Sequence, residues 1–328
     1  MHPTPPSRRR LLQLGAGSAA ALATPWLRAQ AWPTKSIRLV VPFAPGGSSE
    51  IIARATAVEM SKLLGQSVYV DNKPGGAGNI AMTEVAGAND QHTLILGHIG
   101  TLAVNPFIFE KLSFDVNKDF KPVSLLAKVP SLYLVHPDLP AKNLVEFIAL
   151  AKSKPGQLNY GSAGNGSAGH LAMEYLKMVS GTFITHVPYR GTGPMLTDLI
   201  AGRLDAASIG AAAVIQFVRT GKLRCIATGT TQRIPQLPDV PTVAEQGFPG
   251  FEMTQWYGLN APASMSPAAI DKLAAAAAKA VKEPATQERL AHDAAIAVGS
   301  TPAEYARFIG AEQQRWKPVI ARARIKPD

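Results

Sequence analysis

The sequence predicts an α/β fold in two lobes, and three observations carry that expectation. Short apolar runs alternate with helical stretches almost from end to end, the pattern of largely parallel sheets. The 328 residues, less an N-terminal leader, are more than a single hydrophobic core usually organises. Finally, Ser131 to His136 and Trp256 to Ala261 are apolar, strand-like runs that bracket a middle region with its own alternation. The chain therefore leaves the first lobe and returns to it, which makes a two-crossing hinge. The expected division is lobe 1 over residues 32–131 plus 253–328 and lobe 2 over residues 132–252.

Residues 1–31 are set apart from the fold. Ser7-Arg8-Arg9-Arg10-Leu11-Leu12 is a twin-arginine pattern, followed by an apolar run of small residues and by Ala29-Gln30-Ala31, which suits signal-peptidase cleavage. The order of charge, apolar run and small-x-small site predicts a cleavable signal peptide and a periplasmic protein. No other segment approaches the roughly 18 apolar residues that span a bilayer. The leader carries four arginines and no acid, so +6 of the formal +10 stays with the mature chain. That modest excess attracts anions but lacks the arginine-rich, aromatic-interleaved face of nucleic-acid binders, and no nucleic-acid partner is expected. Cys225 is the one cysteine and lies in the apolar run Leu223 to Ala227, so it reads as a buried small hydrophobe and no disulfide framework exists.

In chain order, strands are expected at Ile37 to Phe43, Val68 to Val70, Thr93 to Leu96, Leu132 to Val135, Leu158 to Tyr160, Ile184 to Val187 and Leu223 to Ala227. The helices between them have legible ends. Ser48 or Ser49 can cap a helix running to about Leu64, where Gly65 supplies a left-handed terminus. Ser266-Pro267 and Thr301-Pro302 place a capping hydroxyl before a proline at the first helical position, and Thr301 with Glu304 forms a capping box. The last quarter of the chain is thus mostly helical.

Three glycine-rich turns each follow a strand and open a helix: Pro45 to Ser49, Pro74 to Asn79 and Gly161 to Ser167. Glycine lets backbone approach a ligand, and a helix N-terminus carries roughly half a positive charge, so such turns hold an anion without lysine or arginine. Any one of them is equally well a tight connection; three together favour a binding site for carboxylates. The rival motifs fail on spacing. Gly164-x-Gly166-x-x-Gly169 follows a strand, but the next strand ends in Pro188-Tyr189-Arg190 with no acid for a ribose, leaving only a weak NADP reading through Arg190. A phosphate loop is absent because Gln216 stands where its first glycine belongs, and neither Ser48 nor Ser167 completes a nucleophile elbow. Histidines at 92, 98, 136, 170, 186 and 292 form no metal pattern. His170 beside a glycine turn is the one singled out, and a structural role suits it better than a ligand role. No cofactor, metal site or catalytic residue is expected.

The motifs resemble the Bug family of extracytoplasmic receptors, the substrate-binding components of tripartite tricarboxylate transporters. The resemblance rests on Val41-Pro42-Phe43-Ala44-Pro45-Gly46-Gly47, on Asn72 to Ile80 and on Asn159 to Ser167. Further likeness lies in Val187 to Gly191, Leu237 to Glu245 and Trp256 to Leu259, and it covers essentially the whole mature chain. It implies a type II periplasmic-binding fold whose cleft takes small carboxylates, amino acids included, through main-chain amides and hydroxyls. It further implies first-lobe contacts from Pro45, Gly46, Gly47, Ser48 and Thr101, and second-lobe contacts from Ser162, Gly164, Asn165, Gly166, Ser167 and the turn holding Tyr189, Arg190 and Thr192.

Three departures bear on the ligand. Glu50 stands where the family usually has aspartate, and Ser208-Ile209-Gly210 replaces its usual Phe-Asp-Asn, which weakens the case for an amine-bearing ligand. Arg190, where lysine is more usual, is either a partner for a second carboxylate or a solvated arginine. The sequence thus predicts a monomeric, non-enzymatic receptor for a small carboxylate (a di- or tricarboxylate, an amino acid or an aromatic acid), serving membrane permease subunits. A sensor signalling through a membrane kinase is the alternative, with an α/β enzyme behind it.

Overall fold

The computed structural model describes residues 32–326, so the expected signal peptide at 1–31 lies outside the described residues. In chain order the strands are β1 (Ile37–Val41), β2 (Val68–Asn72), β3 (Thr93–His98), β4 (Phe120–Val135), β5 (Asn159–Ser162), β6 (Thr185–Pro188), β7 (Ala206–Gly210), β8 (Arg224–Thr228), β9 (Thr254–Pro262) and β10 (Ile296–Ala297). The helices are α1 (Ser48–Leu64), α2 (Asn79–Ala86), α3 (Asn105–Ile108), α4 (Leu144–Ser153), α5 (Ala168–Ser180), α6 (Thr192–Ile200), α7 (Ala211–Arg219), α8 (Pro267–Ala280), α9 (Pro284–His292) and α10 (Pro302–Ala323). A π-helical turn, Gly100–Val104, leads into α3.

Two sheets share β4. Its first part lies antiparallel to β9, from Phe120 opposite Pro262 to Pro130 opposite Thr254, and that sheet continues through β3 and β1 to β2. From Ser131 onward the same strand pairs with β7 on one side and β8 on the other, and the second sheet runs on through β5 to β6. The pairings β1–β2, β1–β3, β5–β6 and β5–β7 are parallel, as βαβ alternation requires. Each sheet with the helices packed on it forms a lobe. The β4–β9 ladder is interrupted by register shifts near Pro122 and Leu125, and such bulges bend a strand and raise its twist. One long strand can in this way serve two differently oriented sheets.

Local chemistry fixes the helix ends. Ser266 Oγ accepts the Ala269 amide, the Thr301–Glu304 capping box is present, and Gly65 closes α1 at φ 69°. At the start of α1 the structure differs from expectation. Gly47 in extended conformation is the cap and makes no side-chain cap bond, so Ser48 is the first helical residue and its hydroxyl is released for another use. Cys225 is buried, and burial pushes its thiol pKa up to about 12, which keeps it protonated and inert.

The C-terminal helix α10 packs on β4, on the π-helical turn and on α5, so it touches both lobes. Trp316 of this helix meets Tyr175 of α5 edge-on at 5.6 Å, and Tyr175 stacks on Phe251 at 4.4 Å. Among the described residues no helix is long and apolar enough to cross a membrane, and no group of three or more His, Cys, Asp or Glu could hold a metal ion.

Candidate ligand-binding cleft

The first residues of four helices converge on one cavity between the lobes. α1 contributes Ser48 and Ser49, α5 Ala168 and Gly169, and α6 Thr192, while Gly210, the cap of α7, closes the circle. The empty space of the cavity, its open mouth included, is about 440 Å³. Among the described residues no Asp, Glu, Lys or Arg lines it. Three of the four helices have no side-chain cap: Gly47, Gly191 and Gly210 stand at their cap positions. Their leading amides thus keep the unpaired donors and partial positive charge that attract an anion. α5 differs, since Ser167 Oγ accepts the His170 amide at 3.3 Å.

Backbone meets backbone where the lobes touch, and glycine makes the approach possible. A Cβ on Gly193 would lie 2.4 Å from the Pro45 carbonyl oxygen, and one on Gly46 would lie 3.2 Å from the Gly193 Cα. The Ala44 amide also donates across the gap to the Arg190 carbonyl at 3.4 Å.

The residues expected at the site separate into three groups. Ser48, Ser167 and Thr192 line the cavity. Gly164, Tyr189 and Arg190 line a smaller adjoining space beside the turn Gly75 to Gly78, with Arg190 exposed and Tyr189 bonded through its hydroxyl to Asp198. Pro45, Gly46 and Gly47 form the contact with α6 just described, Gly47 facing Thr192. The remainder hold the turns. Ser162 Oγ accepts the Gly164 amide and pairs with His186 Nε2, the Gly166 amide donates to His170 Nδ1, and Asn165 Oδ1 is buried without a partner. Thr101 is fully buried and bonds to the His98 backbone. Glu50 turns away from the cavity, accepting the Gly46 amide and pairing with Arg54. His170 fills a structural place, stacked on His186 at 4.3 Å.

Sequence reasoning assigned no ligand contact to His98, Ser208, Gln255 or Tyr257, all of which line the cavity. They sit at strand positions without motif spacing, and the topology alone brings them together. Tyr257 Oη donates to Gln255 Oε1 at 2.6 Å, and Ser48 Oγ lies beside the same hydroxyl. Ser208 Oγ and His98 Nε2 are buried and lack a hydrogen-bond partner within the protein, as expected of groups that serve a ligand.

Burial pushes the His98 pKa down from 6.5 to about 3. The unfolded chain binds a proton below pH 6.5 while the folded chain does not, so stability is lost as pH falls from 6.5 towards 3. One such group is worth up to about 1.4 kcal/mol per pH unit. Between pH 6.5 and 5, urea titrations should therefore lose about 2 kcal/mol less in His98→Asn than in the natural protein. Equal losses would contradict a buried neutral imidazole.

Comparison with known proteins accords with this geometry. The model of the tripartite tricarboxylate transporter family receptor matches residues 52–325. Protein BugT of Bordetella pertussis is 34% identical over 305 residues, covering 92% of this chain and 93% of that protein. Among solved structures, R. palustris Rpa4515 with adipate is 36% identical at a TM-score of 0.87, covering 90% of this chain and 100% of that one. MatC from Rhodopseudomonas palustris with bound malate is 35% identical at a TM-score of 0.85, covering 88% and 100%. The two-lobed fold is that of periplasmic binding proteins. With its family model and its relatives in agreement, the chain belongs to the Bug (TctC) family of solute-binding receptors, which are not enzymes.

Proposed function

We propose that this protein is an exported, monomeric periplasmic receptor that captures a small carboxylate and presents its closed form to the permease subunits of a tripartite tricarboxylate transporter. One observation carries the reading: four helix N-termini, three without side-chain caps, face a cavity with no charged lining among the described residues. Such a site stabilises a carboxylate through amides and hydroxyls alone. The adipate in Rpa4515 and the malate in MatC support the same ligand class. The first carboxylate settles between Ser48, Ser167 and Thr192, with the turns 45–47 and 161–167 closing over it.

Closure is a rigid-body rotation of residues 132–252 against residues 32–131 and 253–328. The pairing of β4 supports this division, since it passes from β9 at Pro130 to β7 and β8 from Ser131 onward. The ligand favours the closed form only as far as it binds that form better.

Calorimetry with adipate and malate tests the site. Ser167→Ala removes a cavity hydroxyl. Gly164→Val strains a residue at φ 116° and places a Cβ 2.9 Å from the Tyr189 carbonyl oxygen. Each should weaken binding roughly tenfold or more. Wild-type affinity in both variants would refute the assignment.

A further inference from the structure

His98 ends β3 against the first-lobe wall of the cavity, with 3% of its surface exposed. Its Nδ1 accepts the Gly100 amide at 2.6 Å. A backbone N–H only donates, so Nδ1 must offer a lone pair and the ring proton must reside on Nε2. The ring cannot rotate away. Phe43 lies against it at a centroid distance of 4.6 Å, Tyr257 meets it edge-on at 6.4 Å, and Thr101 bonds the His98 backbone at both N–H and C=O. Gly100 is part of the same arrangement, because a Cβ there would lie 2.4 Å from His98 Cε1. Every contact fixes the ring in one orientation, yet its remaining donor, Nε2–H, is buried without a partner within the protein, and His98 is among the residues that line the cavity.

Across the cavity, Ser208 Oγ on β7 is likewise buried and unpaired. The lining therefore offers donors on both walls, while among the described residues it offers no carboxylate to receive an ammonium group. A buried donor left unpaired in the complex would count against binding, and a ligand acceptor placed there satisfies it. A ligand ammonium would instead meet a second set of donors.

From this arrangement we infer that His98 is a specificity-determining residue of the cleft. Its Nε2–H donates to a second acceptor group on the ligand, so the preferred ligand is a short dicarboxylate, plain or hydroxylated, over the matching monocarboxylate or α-amino acid. The inference rests on the carboxylate-receptor reading and adds to it the choice among carboxylates. Burial keeps the imidazole neutral, with a pKa of about 3, so the donor is present throughout the neutral range.

Two substitutions separate the donor from the scaffold. His98→Asn keeps an acceptor near the Nδ1 position for the Gly100 amide but removes the donor at Nε2. His98→Gln places an amide donor near the Nε2 position and gives up the Nδ1 acceptor. Calorimetry would use succinate, malate, adipate, butyrate and aspartate on the purified protein and both variants.

The natural protein should bind at least one dicarboxylate at least about tenfold more tightly than butyrate or aspartate. His98→Asn should lose most of that ratio, and His98→Gln should keep most of it. An unchanged ratio in His98→Asn, or equal weakening of every ligand, would overturn the inference while leaving the receptor reading intact. Failure of the natural protein to bind any carboxylate would instead overturn the receptor reading and this inference with it. Independently of any ligand, long-range ¹H–¹⁵N correlation spectra should show His98 as the neutral Nε2–H tautomer at pH 7; an Nδ1–H tautomer would overturn the assignment.

Discussion

Gly193→Ala should lower carboxylate affinity by roughly tenfold or more while the unliganded protein keeps its fold. Gly193 is the second residue of α6, and its Cα faces the Pro45 carbonyl of the opposite lobe. An added methyl would lie 2.4 Å from that oxygen, so the two lobes could not meet as they do here. Overpacking of this kind costs about 1–3 kcal/mol, and the cost falls on the closed form alone. Within the separated lobe, alanine suits a helix better than glycine, although Pro194 after it disfavours the helical conformation slightly. The unliganded melting temperature should therefore move by no more than about 4 °C. Unchanged affinity, measured by calorimetry against adipate and malate, would mean that ligand capture does not require this contact.

Glu312→Ala should produce the largest loss of stability. Glu312 is 7% exposed on α10, and its Oε2 accepts both the Trp256 indole N–H at 2.8 Å and the Trp316 indole N–H at 3.0 Å. Trp256 belongs to β9 near the crossing between lobes, and Trp316 packs towards α5, so this carboxylate ties the hinge region to the helix that touches both lobes. Removing it leaves two buried donors unpaired, at a combined cost of about 3–5 kcal/mol. The melting temperature should fall by at least about 6 °C. Glu312→Gln retains an acceptor oxygen and should recover most of the loss. A shift below about 2 °C for the alanine variant would contradict a structural role for the carboxylate.

The fold was legible where periodicity and capping chemistry agree. The strands at 37–41, 68–72 and 93–98, the left-handed Gly65 and the capping box at Thr301 all follow from residue types read locally. The glycine turns were legible for the same reason, since each joins a strand to a helix start. β7 was missed because Ala206 to Gly210 is small and partly polar, and a strand buried on both faces shows no alternation. The first part of β4 was missed because Lys121, Pro122, Lys128 and Pro130 interrupt its apolar run, and only pairing with β9 makes it one strand.

Within the candidate site, sequence order announced the helix N-termini but not the wall opposite them. His98, Gln255 and Tyr257 come from β3 and β9, far apart in sequence and adjacent because those strands pair, with His98 opposite Tyr257. No spacing rule links them. Thr101, matched by motif, is placed behind His98 and bonds its backbone. A partner on the neighbouring strand, remote in sequence, decides which side chain reaches the cavity, and that partnership is set by topology.

The most direct measurement is the melting temperature of ligand-free protein against mono-, di- and tricarboxylates, amino acids and aromatic acids. A ligand at about 100 times its dissociation constant adds roughly 2.7 kcal/mol, enough to raise the melting temperature by at least about 2–4 °C in a protein of this size. The account predicts such a rise with small carboxylates, largest for a dicarboxylate, and its loss in Ser167→Ala. No rise with any carboxylate, in protein shown to carry no bound ligand, would contradict it.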